Sequence, residues 1–177
     1  MRCRAALRDA EQLTFIIGGA RSGKSAHAEH LATLSPGPWT YIATAQAFDE
    51  EMRTRIGEHR ARRREGWETV DSPHHLTDAL GSVPEGRPVL VDCLTLWLTN
   101  RMLAGADVES EGKSLALALA APRGPWFVVS NEVGLGIVPE NPLARRFRDA
   151  QGKLNQQVAA GADRVILMVA GLAMTVK

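Results

Sequence analysis

The chain has 177 residues, of which 45% are hydrophobic and 23% charged, a globular composition that excludes disordered and fibrous classes. With 21 Lys+Arg against 20 Asp+Glu the formal net charge is +1, so no global field attracts nucleic acid or an anionic membrane, and any anion must be bound by a local site. No apolar run is long enough for stable membrane insertion, and we expect a cytoplasmic protein.

Apolar runs with strand character alternate with helical stretches along the chain. The predicted strands are 13–17, 39–43, 89–91, 126–129 and 164–170; the predicted helices are 24–34, 49–64, 74–80, 94–103, 111–119 and 142–160. Continuous rather than alternating hydrophobicity indicates strands that are covered on both faces. The pattern predicts an α/β fold with a doubly wound, mostly parallel sheet of five or more strands flanked by helices. We expect one domain over residues 13–177, preceded by an extension of residues 1–12.

The first predicted strand runs directly into a glycine-rich motif, Gly18-Gly19-Ala20-Arg21-Ser22-Gly23-Lys24-Ser25. It fits G-x-x-x-x-G-K-[ST] at every fixed position, and a helical pattern follows it. Glycines allow close backbone approach to phosphate, Lys24 neutralises the β/γ oxygens and Ser25 can bind Mg²⁺. The alternative, a chance glycine-rich turn that only caps a helix, is disfavoured by this context. The motif therefore predicts a P-loop NTPase-type nucleotide site, with Lys24 on its solvent side, but no particular reaction.

An acidic residue, Asp92, ends the predicted strand that begins at Val89. In P-loop proteins such a residue, on a strand beside the P-loop strand, holds the Mg²⁺ shell that the P-loop serine enters. Asp92 could instead cap the following helix. The P-loop favours the metal role, which predicts a magnesium site formed by Ser25 and Asp92.

The predicted helix 49–64 begins acidic and ends basic, which is typical of an ordinary solvated helix. His59 nevertheless aligns with the apolar stripe of Met52 and Ile56. It could be a packing residue, which base rates favour, or a neutral imidazole poised to attack phosphorus beside arginines.

The remaining histidines have no metal-ligand spacing and are interpreted as structural or exposed: His27, His30, His74 and His75. Cys93 is expected to be a small buried hydrophobe.

Several further motifs occur in a characteristic order. They are Tyr41-Ile-Ala-Thr44-Ala-Gln46, Arg55-Ile-Gly-Glu-His59-Arg, Trp67-Glu-Thr-Val-Asp71-Ser-Pro73, Val91-Asp-Cys-Leu-Thr-Leu-Trp-Leu-Thr-Asn100 and Asn131-Glu-Val-Gly-Leu-Gly-Ile-Val-Pro-Glu-Asn-Pro-Leu-Ala-Arg145-Arg-Phe-Arg-Asp149. Together with the P-loop they resemble the bifunctional adenosylcobinamide kinase / adenosylcobinamide-phosphate guanylyltransferase family of cobalamin synthesis. The resemblance covers about Leu13 to Lys177.

The resemblance implies an enzyme that phosphorylates adenosylcobinamide with ATP or GTP. It then implies attack of His59 on the α-phosphorus of GTP and transfer of GMP to adenosylcobinamide phosphate, with Mg²⁺ as cofactor. It also implies a homotrimer and a set of nucleotide contacts outside the P-loop: Thr44, Ala45, Gln46, Ala47, Arg62, Arg63, Arg64, Glu65, Asp71 and Asp92. Two rival functions remain, a monofunctional P-loop small-molecule kinase and a non-enzymatic nucleotide-dependent binding module.

Overall fold

A computed structural model describes residues 12–47, 50, 53–54, 57, 61 and 65–177. Its centre is a seven-stranded sheet in the order β3-β2-β4-β5-β1-β6-β7. All neighbouring strands are parallel except β6 and β7. The predicted mostly parallel α/β fold is confirmed. The strands are β1 (Leu13–Gly18), β2 (Trp39–Ala43), β3 (Trp67–Asp71), β4 (Val89–Asp92), β5 (Trp126–Asn131), β6 (Arg164–Val169) and β7 (Leu172–Thr175).

Five helices connect these strands in the described part of the chain. They are α1 (Lys24–Ala32), α2 (Leu76–Ser82), α3 (Leu94–Leu103), α4 (Val108–Leu119) and α5 (Pro142–Gly161). Most of the predicted helix 49–64 lies outside the described residues. Within that stretch, residues 50, 53, 54, 57 and 61 are helical and exposed. None of the helices in the described ranges is long and apolar enough to cross a membrane.

Both faces of the sheet are apolar, which explains the continuous hydrophobic runs in the sequence. On one face, alternate strand residues such as Phe15 and Val91 pack against buried side chains of α2, α3, α4 and α5. On the other face, Ile16 and its neighbours pack with Ala28 and Ala32 of α1. Cys93 belongs to this second cluster and is 7% exposed, as predicted, and burial is the main reason that its pKa rises to about 12.

Local capping explains where two of the helices begin. Asn141 accepts hydrogen bonds from the backbone N–H groups of Leu143 and Ala144, and Pro142 occupies the first turn, so α5 begins where it was predicted. Asp107 caps α4 in the same way, through the N–H groups of Glu109 and Ser110. The predicted start at residue 111 is therefore three residues too late.

Two strands were not predicted, and both are at the edges of the sheet. β3 has two partly buried and three exposed residues, Glu68 among the exposed ones, so it lacks a continuous apolar run. β7 is exposed at all four residues. It is joined to β6 by a two-residue turn with positive φ at Ala170 (51°) and Gly171 (82°). Asn-Gly and Asp-Gly are the sequences typical of such turns, so Ala-Gly does not predict a hairpin here.

Candidate nucleotide-binding site

The carboxyl ends of the parallel strands meet at one edge of the sheet. Asp71, Ala43, Asp92 and Val129 are register partners in that order across β3, β2, β4 and β5. The last residue of β1, Gly18, pairs with Asn131 and begins the P-loop at this edge. The sheet therefore gathers the P-loop and two predicted acidic residues at the edge where α/β proteins bind ligands.

The P-loop is packed closely against the strands and the hairpin around it. A Cβ added to Gly18 would lie 2.5 Å from the carbonyl oxygen of Met168 and 2.8 Å from Oγ of Ser22. The N–H of Gly171 donates to the carbonyl of Ser22 at 3.0 Å. Gly23 precedes α1 with φ 94°, a left-handed conformation that side chains rarely adopt. Glycine is thus required at position 18 because a side chain has no room there, and at position 23 because of the backbone conformation.

Lys24 is only 7% exposed, so the prediction that it lies on the solvent side is wrong. Its Nζ donates to the carbonyl of Gly19 at 2.5 Å and lies 3.5 Å from Oγ of Ser22. The pKa of Lys24 is lowered, chiefly by burial, while the charges of Cys93 and Asp92 act in the opposite direction. A phosphate anion bound in this loop would raise the pKa of Lys24 again, because an opposite charge nearby favours the charged form.

Asp92 lies within electrostatic reach of Lys24, but not on the strand beside β1. β5 separates β4 from β1, so the expectation of a neighbouring strand is wrong. Oδ2 of Asp92 accepts a hydrogen bond from the hydroxyl of Tyr41 at 2.8 Å. The alternative capping role is not observed, because the N-cap of α3 is Cys93 and no side chain caps that helix.

Thr44 ties the ends of β2 and β4 together. It is fully buried, its hydroxyl donates to the carbonyl of Cys93 at 2.7 Å, and it accepts from the N–H of Cys93 at 2.8 Å. The backbone carbonyl of Thr44 accepts from Nδ2 of Asn100. Farther along the same segment, Nε2 of Gln46 lies 3.0 Å from Nε2 of His74, so that histidine supports the Thr44–Ala47 segment. Ala45 and Ala47 follow at the edge, partly buried and exposed.

The other predicted contacts divide into two groups. Asp71 ends the outermost strand at the P-loop edge. Glu65 lies in the turn before β3, next to the amino ends of β2 and β3, where the N–H of Trp39 donates to Gly66. The structure does not bring Glu65 to the P-loop edge. Four predicted residues lie outside the described ranges: His59, Arg62, Arg63 and Arg64.

A carboxylate at the P-loop, Glu132, was not singled out as a site residue. It follows β5 directly, and its N–H donates to the carbonyl of Gly18 at 3.0 Å. β5 adjoins β1, so Glu132 occupies the position where Asp92 was expected. The available signal was an acidic residue immediately after a buried strand, as at Asp92.

The end of β5 is held by a buried polar network on α5. Ser130 and Gln151 are fully buried, and Asn155 is 7% exposed. Ser130 Oγ donates to Oδ1 of Asn155, and Nε2 of Gln151 contacts both of these groups at 2.9 Å. Asn155 Nδ2 donates to the carbonyl of Asn131, whose N–H donates to Oγ1 of Thr95. These bonds fix the backbone immediately before Glu132.

A strand, a phosphate-binding loop and a helix in this order define the class of the protein, a P-loop nucleotide-binding α/β protein. Comparison with known proteins identifies the family. Residues 14–176 match the family Cobinamide kinase / cobinamide phosphate guanyltransferase. The chain belongs to this family.

Two relatives illustrate the match. The chain is 50% identical over 165 residues to the bifunctional adenosylcobalamin biosynthesis protein CobP of Pseudomonas aeruginosa, covering 92% of this chain and 95% of that protein. It is 40% identical over 181 residues to the bifunctional adenosylcobalamin biosynthesis protein CobU of Escherichia coli K12, covering 93% and 99%.

Solved structures with similar folds are much more distant in sequence. A protein of Pyrococcus horikoshii OT3 superposes with a TM-score of 0.54 at 10% identity, covering 94% of this chain and 86% of its own. An ATPase of a bacterial type III secretion system superposes with a TM-score of 0.54 at 15% identity, covering 93% and 56%. At these identities the likeness concerns the fold alone.

The packing around the P-loop predicts different effects at two adjacent glycines. Gly18→Ala should lower the free energy of unfolding by about 1–3 kcal/mol, because the new Cβ would overlap the Met168 carbonyl. A Cβ on Gly19 would meet no atom within 4 Å, and Gly19→Ala should change stability by less than about 0.5 kcal/mol. Urea denaturation of both variants measures the difference, and equal stabilities would contradict the close packing at Gly18.

Proposed function

We propose that this protein carries out both reactions for which its family is named. It phosphorylates adenosylcobinamide with ATP or GTP, and it transfers GMP from GTP to the resulting phosphate, giving adenosylcobinamide-GDP and pyrophosphate. The observation that carries the proposal is a complete P-loop at the carboxyl edge of the sheet in a chain that matches this family over residues 14–176.

In the kinase reaction the P-loop holds the triphosphate while the substrate hydroxyl attacks the γ-phosphorus. The backbone N–H groups at the start of α1 face the anion, and the ammonium of Lys24 exchanges its Gly19 carbonyl contact for the β/γ oxygens. Little covalent chemistry is required of the protein. Positioning and neutralisation of charge account for the rate.

Mg²⁺ is the cofactor that this donor set fits. The hydroxyl of Ser25 and the carboxylate of Asp92 are hard oxygen ligands of the kind that Mg²⁺ prefers. The described residues contain no cluster of three or more His, Cys, Asp or Glu that could hold a metal unaided, so Ser25 and Asp92 would hold Mg²⁺ together with the bound nucleotide. Bound there, Mg²⁺ neutralises charge that develops on the phosphates.

In the guanylyl transfer, His59 attacks the α-phosphorus of GTP and pyrophosphate leaves. The phosphate of adenosylcobinamide phosphate then displaces the imidazole and takes the GMP group. The nearby Arg62 and Arg63 stabilise the departing pyrophosphate, and Thr44, Gln46 and Asp71 contribute to nucleotide binding. A covalent step divides one difficult displacement into two. Family membership supports this assignment, and His59 itself lies outside the described residues.

Lys24→Ala should lower kinase turnover by a factor of ~10² or more, because the P-loop loses the cation that meets the β/γ phosphates. The fold should survive, since the ammonium is buried at a cost that lowers its pKa. Turnover with adenosylcobinamide, ATP and Mg²⁺ is measured beside the melting temperature. Lys113→Ala, which changes an exposed lysine on α4, is the matched control. A folded Lys24→Ala protein with unreduced turnover would remove Lys24 from the site.

His59→Ala should abolish labelling by α-labelled GTP and transfer of GMP, yet leave the kinase reaction largely intact, because that step forms no covalent enzyme intermediate. The label should be acid-labile and alkali-stable, as a phosphoramidate is. His30→Ala, which replaces an exposed histidine of α1, should keep full labelling. Persistent labelling of His59→Ala would exclude His59 as the nucleophile. An unlabelled wild-type enzyme with kinase activity would identify a monofunctional kinase.

We also propose a homotrimer, which the resemblance implies. β7 forms an edge of the sheet and leaves Leu172 and Met174 71% and 55% exposed on one side of the strand. An apolar edge strand of this kind favours association through further strand pairing or packing.

The double change Leu172→Ser and Met174→Ser should shift the assembly toward monomer in sedimentation equilibrium, because the exposed edge then loses its large apolar side chains. Leu117→Ser, which changes an equally exposed leucine (75%) on α4, should leave the mass of the assembly unchanged. A trimer that is insensitive to the β7 change would place the interface elsewhere.

A further inference from the structure

Glu132 lies between the P-loop and the strand that carries Asp92. Its backbone N–H donates to the carbonyl of Gly18 at 3.0 Å, so it is tied to the first residue of the phosphate motif. Its strand, β5, separates β1 from β4. Gly18 and Asn131 are register partners, and Glu132 extends one residue beyond that row at the edge where the triphosphate is proposed to bind.

Glu132 is half-buried, and its carboxylate has no cationic partner among the described residues. Oε1 accepts the N–H of Gly134 at 2.6 Å, and no Lys, Arg or His of the described ranges forms an ion pair with it. An acidic residue at the edge of the sheet where a triphosphate is proposed to bind is unfavourable for nucleotide binding alone. A neutral glutamine could accept the hydrogen bond from Gly134 equally well. The carboxylate of Glu132 therefore indicates a role in the reaction rather than in the structure of the loop.

Hydrogen bonds from buried side chains hold the two residues that precede Glu132. Ser130 and Asn131 are bonded to Gln151, Asn155 and Thr95 through a network that is almost entirely buried. Buried polar groups are costly unless they are paired, and the side-chain polar atoms of this network are paired apart from Oε1 of Gln151. Paired networks hold a unique geometry. The network therefore positions the residue that follows it relative to the P-loop.

We propose that Glu132 is the general base of the kinase reaction, an inference that rests on the proposed function. The substrate hydroxyl oxygen forms a bond to the γ-phosphorus, and the bond from that phosphorus to the β-γ bridging oxygen breaks. The nucleoside diphosphate leaves with the electron pair of that bond. The hydroxyl proton passes to the carboxylate of Glu132 and is later released to solvent.

Asp92, another acidic residue at this edge, is less suited to that role. Asp92 accepts a hydrogen bond from the Tyr41 hydroxyl and stands one strand farther from the P-loop. Its charge acts on Lys24, and with Ser25 it would provide oxygen ligands for Mg²⁺. Asp92 is thus assigned to metal binding, and Glu132, which follows the strand next to β1, is assigned to proton transfer.

The test uses Glu132→Gln in the full chain. The amide can keep the hydrogen bond from Gly134 but accepts no proton, so the turnover number of the kinase should fall ~10²- to 10⁴-fold with little change in KM. The acid limb of the kinase pH–rate profile should disappear. Labelling by α-labelled GTP and transfer of GMP to adenosylcobinamide phosphate should continue, because no hydroxyl is deprotonated there. Glu132→Asp should recover part of the kinase rate.

Glu140→Gln makes the same change at an exposed glutamate of the same loop and should leave all rates unchanged. Undiminished kinase turnover in Glu132→Gln would overturn the proposal. A parallel fall in kinase and guanylyl transfer would also overturn it, since that result identifies a structural role. Absence of kinase activity from the wild-type enzyme would instead refute the proposed function itself.

Discussion

The site depends on a close approach of backbones at Gly18. With no side chain there, the end of β1 approaches the Met168 carbonyl of β6 and leaves room for Ser22 to turn back above it. The same residue accepts the N–H of Glu132 from β5 on its other side. One missing Cβ therefore lets three adjacent strands and the phosphate loop converge, and the position of Lys24 and of the first turn of α1 follows from that convergence.

A second requirement is that the carboxyl end of β5 does not move. Gln151 and Asn155 lie one helical turn apart on α5 and face the sheet, where an apolar pair would be the ordinary choice. Their amides bond Ser130 and Asn131 instead. Loss of one partner would leave buried polar groups unsatisfied, which costs about 1–3 kcal/mol for each group. Packing of α5 is thereby coupled to the geometry of the site.

The central part of the fold could be predicted because both faces of β1, β2, β4, β5 and β6 are covered, which produces continuous apolar runs. The edge strands β3 and β7 could not, since they are partly exposed and their hydrophobic pattern is weak. In the site, the P-loop could be predicted from spacing alone. Strand order is not encoded in local patterns, so Asp92 was expected beside β1 and Glu132 received no role.

The charges at the site explain how a protein with a net charge of +1 can bind a triphosphate. Lys24 is one buried cation that interacts with the charge of Asp92, and Arg21 is a second, exposed cation of the P-loop. Two further acidic residues, Asp71 and Glu132, lie at the same edge. Side chains in the described part of this edge therefore give little net attraction for a bare nucleotide. The backbone N–H groups at the start of α1 and a divalent cation must supply the remainder. In the proposed reaction the acidic groups then become favourable, because Asp92 faces the metal and Glu132 takes up a proton. In the proposed reaction such an arrangement would favour the magnesium complex over the free nucleotide.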